Sequence, residues 1–208
     1  MKQLFNMGAG LMLALGSYAI AAGNADTGEG LYGSCVACHG AAGEGNTSLN
    51  APALAGQQEA YLVRQLANFR AGVRGADAAD VNGAQMRGMA AVLADDAAVG
   101  DVAAFLAGLP ATPGKADTVG ADLRNGENQY NGACGACHGG QAQGNKGLSA
   151  PRLAGLDGAY LKRQFQNFAS GVRGSHPDDR LGRQMKMMAT MLASEKDLDD
   201  VIAFIGSQ

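Results

Sequence analysis

The sequence predicts an all-α protein built from two copies of one unit. Residues 51–75 and 150–174 are identical at 16 of 25 aligned positions without a gap, which indicates that a whole domain was duplicated at a constant offset of 99 residues. Apolar residues recur at three- and four-residue spacing, which is typical of amphipathic helices, and a final helix is predicted over 95–108 and 195–206. We find no convincing alternation of apolar and polar residues, so we expect helices and long loops without strands.

Length and composition exclude several classes of protein. The chain has 208 residues, of which 47% are hydrophobic, so it can bury a core and wholesale disorder is excluded. A formal net charge of -3 gives no sign of a nucleic-acid partner. Aromatic residues make up only 5% and tryptophan is absent, which indicates that something other than side chains fills part of the interior.

The N-terminal residues have the pattern of an export signal. Lys2 precedes a mostly apolar run that ends in Ala19-Ile20-Ala21, the small-x-small pattern that signal peptidase recognises. We therefore expect a signal peptide over 1–21, cleavage after Ala21 and a soluble protein in the periplasm. An uncleaved anchor, which would tether the same domains to the membrane, is the alternative.

The remaining chain is expected to form two domains. Pro110 and Pro113 stop the preceding helix and mark a linker. The predicted boundaries are a first domain over 22–109, a linker over 110–116 and a second domain over 117–208.

Each copy carries one C-x-x-C-H motif. The residues are Cys35, Cys38 and His39 in the first copy and Cys134, Cys137 and His138 in the second. Two thiols one helical turn apart can add to the two vinyl groups on one edge of a porphyrin, and the adjacent imidazole can bind the iron. Two such motifs at matched positions predict two covalently bound haem c groups.

A zinc site, a redox dithiol and a simple disulfide are the competing interpretations of the motif. Zinc needs two further Cys or His ligands in each domain, and the one spare histidine, His176, is matched by Asp77 in the other copy. A redox dithiol usually belongs to a βαβ pattern, which this sequence lacks. Haem is therefore favoured, and His176 is expected to be a surface loop residue.

A methionine is the candidate for the second axial ligand of each iron. Met86 and Met89 in the first copy correspond to Met185 and Met188 in the second, so the repeat alone does not choose between the members of each pair. A protein ligand at this position closes the iron to small molecules and favours electron transfer. The other methionines are interpreted as flexible filling of the core.

These residues resemble the class I c-type cytochromes and, more narrowly, the di-haem cytochrome c4 family. The similarity covers 22–208 and includes the motifs C-H-G, A-P-x-L-A-G, A-Y-L-x-x-Q, F-x-x-G-x-R and M-x-x-M-A. The resemblance implies two tandem class I cytochrome c domains, each wrapped around one haem. It also implies Met86 and Met185 as iron ligands, and Pro52 and Pro151 as the residues whose carbonyls hold the haem histidines.

The resemblance implies a function in electron transport. We expect a periplasmic di-haem carrier, not an enzyme and without catalytic residues, that moves electrons one at a time from a respiratory donor complex to a terminal oxidase or reductase. A monomer with at most peripheral membrane association is expected. The alternatives are a di-haem subunit of an oxidoreductase such as flavocytochrome c sulfide dehydrogenase, and a di-haem enzyme, which requires one unit to lack its methionine.

Two features of the repeat remain open at this stage. Arg64 and Arg163, with the tyrosines three residues before them, are duplicated polar residues that can face the haem propionates, the other domain or solvent. Tyr32 precedes its motif by three residues whereas Tyr130 precedes its own by four, which puts the equivalence of the first helices in doubt.

Overall fold

The computed structural model describes residues 23–113 and 118–208, which form two groups of five α-helices. The signal peptide predicted over 1–21 lies outside the described residues. Within the described ranges there is no strand, only an isolated bridge in each repeat, and the prediction of a helical protein is confirmed. No helix in this part of the chain is both long and apolar enough to cross a bilayer.

The two groups repeat the same order of elements. The first repeat contains α1 (Ala25–Tyr32), α2 (Val36–His39), α3 (Glu59–Arg70), α4 (Val81–Ala90) and α5 (Asp96–Gly108). The second contains α6 (Leu123–Ala133), α7 (Gly135–His138), α8 (Gly158–Ser170), α9 (Arg180–Met188) and α10 (Glu195–Gly206). The final helices agree with their predicted bounds to within one residue. Ser194 caps α10 by accepting a hydrogen bond from the Asp197 amide at 3.1 Å.

The first and last helices of each repeat cross at a glycine. A Cβ atom at Gly28 would collide with the carbonyl oxygen of Asp101, and one at Gly126 would collide with that of Asp200. The absence of a side chain therefore allows α1 to lie against α5, and α6 against α10, at backbone contact.

The extra residue before the second motif does not break the equivalence of the first helices. The hydroxyl of Tyr32 donates to the carbonyl of Gly40 at 2.7 Å, and that of Tyr130 donates to Gly139 at 2.7 Å. Since both tyrosines make the same bond, the repeats match here at an offset one residue shorter. The additional residue is absorbed where α6 continues to Ala133.

A small apolar core lies behind each helix crossing, where α3 packs on α5 and α8 packs on α10. The buried members are Tyr32, Leu62, Leu93, Val99, Val102, Ala103 and Leu106 in the first repeat. In the second they are Tyr130, Ala142, Ala154, Leu161, Val201, Phe204 and Ile205. The first cysteine of each motif packs against this cluster, which places the motif at the edge of the core.

The segment between the repeats follows the expected helix stop. α5 ends at Gly108, two residues before Pro110. Residues 114–117 are outside the described ranges, and they contain the end of the predicted linker and the first residue of the predicted second domain. The domain boundaries at 109 and 117 therefore stay predictions.

Replacing Gly28 with Ala is expected to lower the stability of the first repeat by about 1–3 kcal/mol, because the helices must separate to admit the methyl group. Gly30 lies on the same helix and has nothing near its absent Cβ. Gly30→Ala is the matched control, which should stabilise the repeat by about 0.5–1 kcal/mol. Denaturant unfolding of the two holoprotein variants measures both changes in the free energy of unfolding. Equal changes for Gly28→Ala and Gly30→Ala would contradict the backbone contact at Gly28.

Asp200 joins the first and last helices of the second repeat. Its carboxylate is 1% exposed and accepts hydrogen bonds from the Asp122 amide at 2.9 Å, from Asn125 Nδ2 at 2.8 Å and from Lys196 Nζ at 2.8 Å. These three hydrogen bonds lower the pKa of Asp200 from 3.8 to about 2. The bond from Lys196 has the largest effect, followed by the bonds from Asn125 and Asp122.

The second repeat is therefore expected to lose stability in acid. Because the folded pKa of Asp200 is depressed, its contribution is present above pH 3.8 and is lost as the pH falls to about 2. Asp200→Asn should remove this part of the pH dependence, measured as the denaturation midpoint against pH. The exposed Asp178→Asn variant is the control and should keep the wild-type profile.

Candidate haem sites

The thiols of each motif lie at the two ends of a single helical turn. The amide of His39 donates to the carbonyl of Cys35 at 2.9 Å, and the amide of His138 donates to Cys134 at 2.9 Å. In each motif the first thiol is half-buried, the second is exposed, and none of the four forms a disulfide. Burial raises the pKa of Cys35, and burial together with Cys137 raises that of Cys134 to about 11. Burial therefore favours the neutral form of the first thiol in each motif.

The motif histidines are buried and held in one orientation. His39 is 4% exposed and His138 is 5% exposed. Their Nδ1 atoms lie 2.9 Å from the carbonyl oxygens of Pro52 and Pro151 respectively. Because a carbonyl only accepts, Nδ1 carries the proton and Nε2 keeps a free lone pair. Burial lowers the pKa of both histidines, which favours the neutral imidazole that binds metals.

The sulfur atom of Met86 faces the first histidine. Met86 Sδ lies 3.5 Å from His39 Nε2, whereas the side chain of Met89, one helical turn later, is 40% exposed. In the second repeat Met185 is the half-buried residue at the matching position of α9, and Met188 is 37% exposed. Met86 is thus the methionine that faces the histidine in the first repeat, although Met89 also lines the pocket there. In the second repeat only the lower exposure of Met185 distinguishes it from Met188, and the choice of ligand stays a prediction.

An apolar pocket surrounds His39 and Met86 in the first repeat. Its walls include Leu54, Leu62, Leu66, Phe69, Leu93 and Leu106. Residues of the second repeat complete the lining, namely Tyr160, Arg163 and Gln164. One wall of the pocket is therefore formed by the contact between the repeats.

The duplicated arginines and tyrosines of α3 and α8 meet the opposite repeat. Arg64 Nη2 donates to the carbonyl of Ser149 at 3.0 Å, and Arg163 donates to the side chain and carbonyl of Asn50 at 3.1 and 3.0 Å. Ser149 and Asn50 are equivalent positions of the two repeats. Of the three environments considered from the sequence, the structure places these arginines against the other repeat.

Sequence reasoning missed the buried polar centre of this contact. Gln65 and Gln164 are 8% exposed, as are Arg74 and Arg173. All four are duplicated at the repeat offset, and the glutamines occupy the buried stripe of their helices. A polar residue that is duplicated inside an apolar stripe was the available signal.

The predicted haem fits these residues. The pocket offers paired thiols, an imidazole with a free nitrogen, a thioether and apolar walls, which match the vinyl groups, iron and ring of haem c. The buried Nε atoms of Arg64, Arg74, Arg163 and Arg173 have no hydrogen-bond partner among the described residues, which suits an anionic group beside them. No cluster of three or more His, Cys, Asp or Glu able to hold a metal occurs in the described ranges, so the zinc alternative lacks its ligands.

The family described as Cytochrome c matches residues 25–110 and 123–208, one match in each repeat. Cytochrome c4 of Azotobacter vinelandii is 34% identical over 206 residues, covering 94% of this chain and 95% of that protein. The solved structure of reduced recombinant cytochrome c4 from Pseudomonas stutzeri superposes with a TM-score of 0.74 at 32% identity, covering 89% of this chain and 99% of the other. A thiosulfate dehydrogenase electron acceptor of Stutzerimonas stutzeri (strain A1501) is 34% identical, covering 74% of this chain and 72% of that protein.

Proposed function

Because this chain belongs to the cytochrome c family, and within it to the cytochrome c4 proteins, we propose that it is a periplasmic carrier that passes electrons one at a time between respiratory partners. The predicted fold of two tandem cytochrome c domains and the predicted pair of covalent haem c groups are confirmed by these relationships. The chain is an electron-transfer cytochrome. Its location, its partners and the roles of individual residues form the proposal.

Each repeat supplies four groups to its haem in this proposal. The thioether bonds are assigned to Cys35 and Cys38 in the first repeat and to Cys134 and Cys137 in the second. The axial ligands are His39 and Met86, and His138 and Met185. The observation that carries the assignment in the first repeat is the approach of Met86 Sδ to His39 Nε2 at 3.5 Å. The matching positions of His138 and Met185 extend it to the second repeat.

A ligand on each side of the iron makes the site a carrier of electrons. The haem supplies one-electron chemistry, and a thioether ligand raises its reduction potential. The bond from His39 to Pro52 holds the imidazole at a fixed angle, so little protein rearrangement accompanies a change of charge. Both repeats have a methionine at this position, which disfavours a di-haem enzyme with an open iron.

The predicted signal over 1–21 supports an exported protein, and c-type attachment keeps the cofactor from being lost outside the cytoplasm. A respiratory donor complex and a terminal oxidase or reductase remain the proposed partners. The proposed state is a monomer with at most peripheral membrane association.

A second candidate is a dedicated partner of a sulfur-oxidising enzyme. The relative described as a thiosulfate dehydrogenase electron acceptor supports the alternative of a cytochrome that belongs to an oxidoreductase, of which flavocytochrome c sulfide dehydrogenase is another example. Both functions use the same two haem sites, so they differ only in what docks on the protein.

Removing the proposed sulfur ligand should change one haem of the two. We expect Met86→Ala to remove about half of the far-red absorption band of ferric haem with a thioether ligand, and to lower the potential of that haem. Met89→Ala is the matched control and should retain the full band. Met185→Ala and Met188→Ala repeat the comparison in the second domain. A full band in Met86→Ala together with its loss in Met89→Ala would reverse the assignment.

A free carrier should be isolated alone and should not react with thiosulfate by itself. We expect the holoprotein from a periplasmic extract to elute as a single chain, and added thiosulfate to leave its oxidised spectrum unchanged. Size-exclusion chromatography and visible spectroscopy measure these outcomes. Elution in a fixed ratio with a thiosulfate-oxidising enzyme or a flavoprotein would support the subunit function, and direct reduction by thiosulfate would indicate an enzyme.

A further inference from the structure

Four buried side chains form a closed ring at the contact between the repeats. Arg74 donates to Gln65 Oε1 at 2.7 Å and to Gln164 Oε1 at 2.9 Å. Arg173 donates to the same two oxygens, at 2.8 Å each. Each amide oxygen therefore accepts from one arginine of its own repeat and from one of the other repeat. The ring is symmetric under exchange of the two domains.

The cations around this ring outnumber the carboxylates near them. The interface arginines, which we define as Arg64, Arg74, Arg163 and Arg173, form none of the ion pairs found within the described ranges. The buried carboxylates nearby, Asp80 and Asp179, cap α4 and α9 by accepting from backbone amides at 3.0 and 2.9 Å. Asp179 attracts Arg64 and Asp80 attracts Arg74, so two carboxylates face four guanidinium groups. Buried positive charge in excess of negative charge is costly, and a further anion at this surface would lower that cost.

The pKa of Tyr61 is affected by the same positive charges. Burial alone raises the pKa of its phenol, but the guanidinium groups of Arg173 and Arg74 outweigh burial and lower it. Cation–π contacts also hold the guanidinium groups in place, with Arg74 lying 4.5 Å from the ring centre of Phe69 and Arg173 lying 4.4 Å from that of Phe168.

The unsatisfied atoms have a common geometry. Each interface arginine donates from at least one Nη atom to a side-chain or backbone oxygen, whereas every Nε is buried without a partner among the described residues. A guanidinium Nε–H is a donor that suits a carboxylate oxygen. Haem c carries two propionate carboxylates on the edge opposite its thioether bonds, which makes it a source of anions within each pocket.

The contacts of Arg163 and Arg64 indicate which haem each one serves. Arg163 lines the pocket of the first repeat and bonds to Asn50, which also lines that pocket. Arg64 bonds to Ser149, the equivalent of Asn50 in the second repeat. Arg163 thus reaches over the site of the first repeat. The matching bond places Arg64 at the equivalent position beside the second repeat.

We propose that the two domains complete each other's haem sites: Arg163 binds a propionate of the haem attached to the first repeat, and Arg64 binds a propionate of the haem attached to the second. This inference rests on the proposed axial ligation, which locates the two haem sites. A guanidinium beside the haem favours the reduced iron, because reduction removes one positive charge from the site. Each domain therefore raises the reduction potential of its neighbour.

The test is a spectroelectrochemical titration of holoprotein variants. Arg163→Gln should shift the potential of the first haem downward and leave the second unchanged, and Arg64→Gln should do the reverse. The controls remove the same charge from the same helices: Lys162→Gln next to Arg163, and Arg70→Gln near Arg64. These side chains pair with Asp199 at 2.6 Å and Asp96 at 2.9 Å, away from the contact.

The two haems are told apart by altering one iron at a time. In a Met185→His background the second haem has two imidazole ligands and titrates at a lower potential, so the remaining wave belongs to the first haem. Met86→His serves in the same way for the second haem. Should a glutamine variant fail to fold, Arg163→Lys and Arg64→Lys keep the charge, lose the Nε donor and should give smaller shifts of the same haems.

A shift of the haem in the arginine's own domain, or shifts no larger than those of the controls, would overturn the crossed arrangement. Its failure is distinguishable from failure of the proposed ligation. In the first case the unaltered protein retains the far-red band of both haems; in the second case that band is missing before any arginine is changed.

Discussion

The hydrogen bond between each buried imidazole and a proline carbonyl is the constraint on which both sites depend. It runs from His39 to Pro52 and from His138 to Pro151, at 2.9 Å in each case. It fixes the tautomer, so that only Nε2 is free to face the pocket. The loop between the two residues must therefore return to the motif, and it turns at Gly40, whose φ of 82° is accessible mainly to glycine.

The crossing of α1 and α5 positions the start of the loop that runs from His39 to Pro52. α1 leads into the motif and α5 closes the repeat, and their contact at Gly28 brings the two ends of the repeat together. The tyrosine at the end of α1 then bonds to the carbonyl of Gly40, at the start of the loop. Backbone contact, one hydroxyl and one imidazole thus define a cradle that is apolar inside. The scarcity of aromatic residues is consistent with a cofactor that supplies the missing bulk.

Duplication explains the form of the contact between the repeats. When two copies of one surface meet face to face, every contact occurs twice, as in a symmetric dimer. If a residue of the first copy contacts a given position in the second, the equivalent residue of the second copy contacts that same position in the first. Gln65 and Gln164 occupy such paired positions, and so do Arg74 and Arg173. The result concentrates positive charge at the contact between the repeats, which forms one wall of the pocket of the first repeat.

The sequence by itself determined the duplication, the helical class, the C-x-x-C-H motifs and the bounds of α5 and α10. These features are local or strictly periodic, so neighbouring residues are enough to reveal them. The repeat left Met86 and Met89 equivalent and the family resemblance implied Met86, but only the tertiary structure showed that Met86 faces His39. Only the tertiary structure also showed that Arg64 and Arg163 reach the opposite repeat. The first depends on the rotation of α4 about its axis, and the second on how two domains dock. Both kinds of contact join residues that are distant in the chain, and the spacing of residues in the sequence does not reveal such contacts.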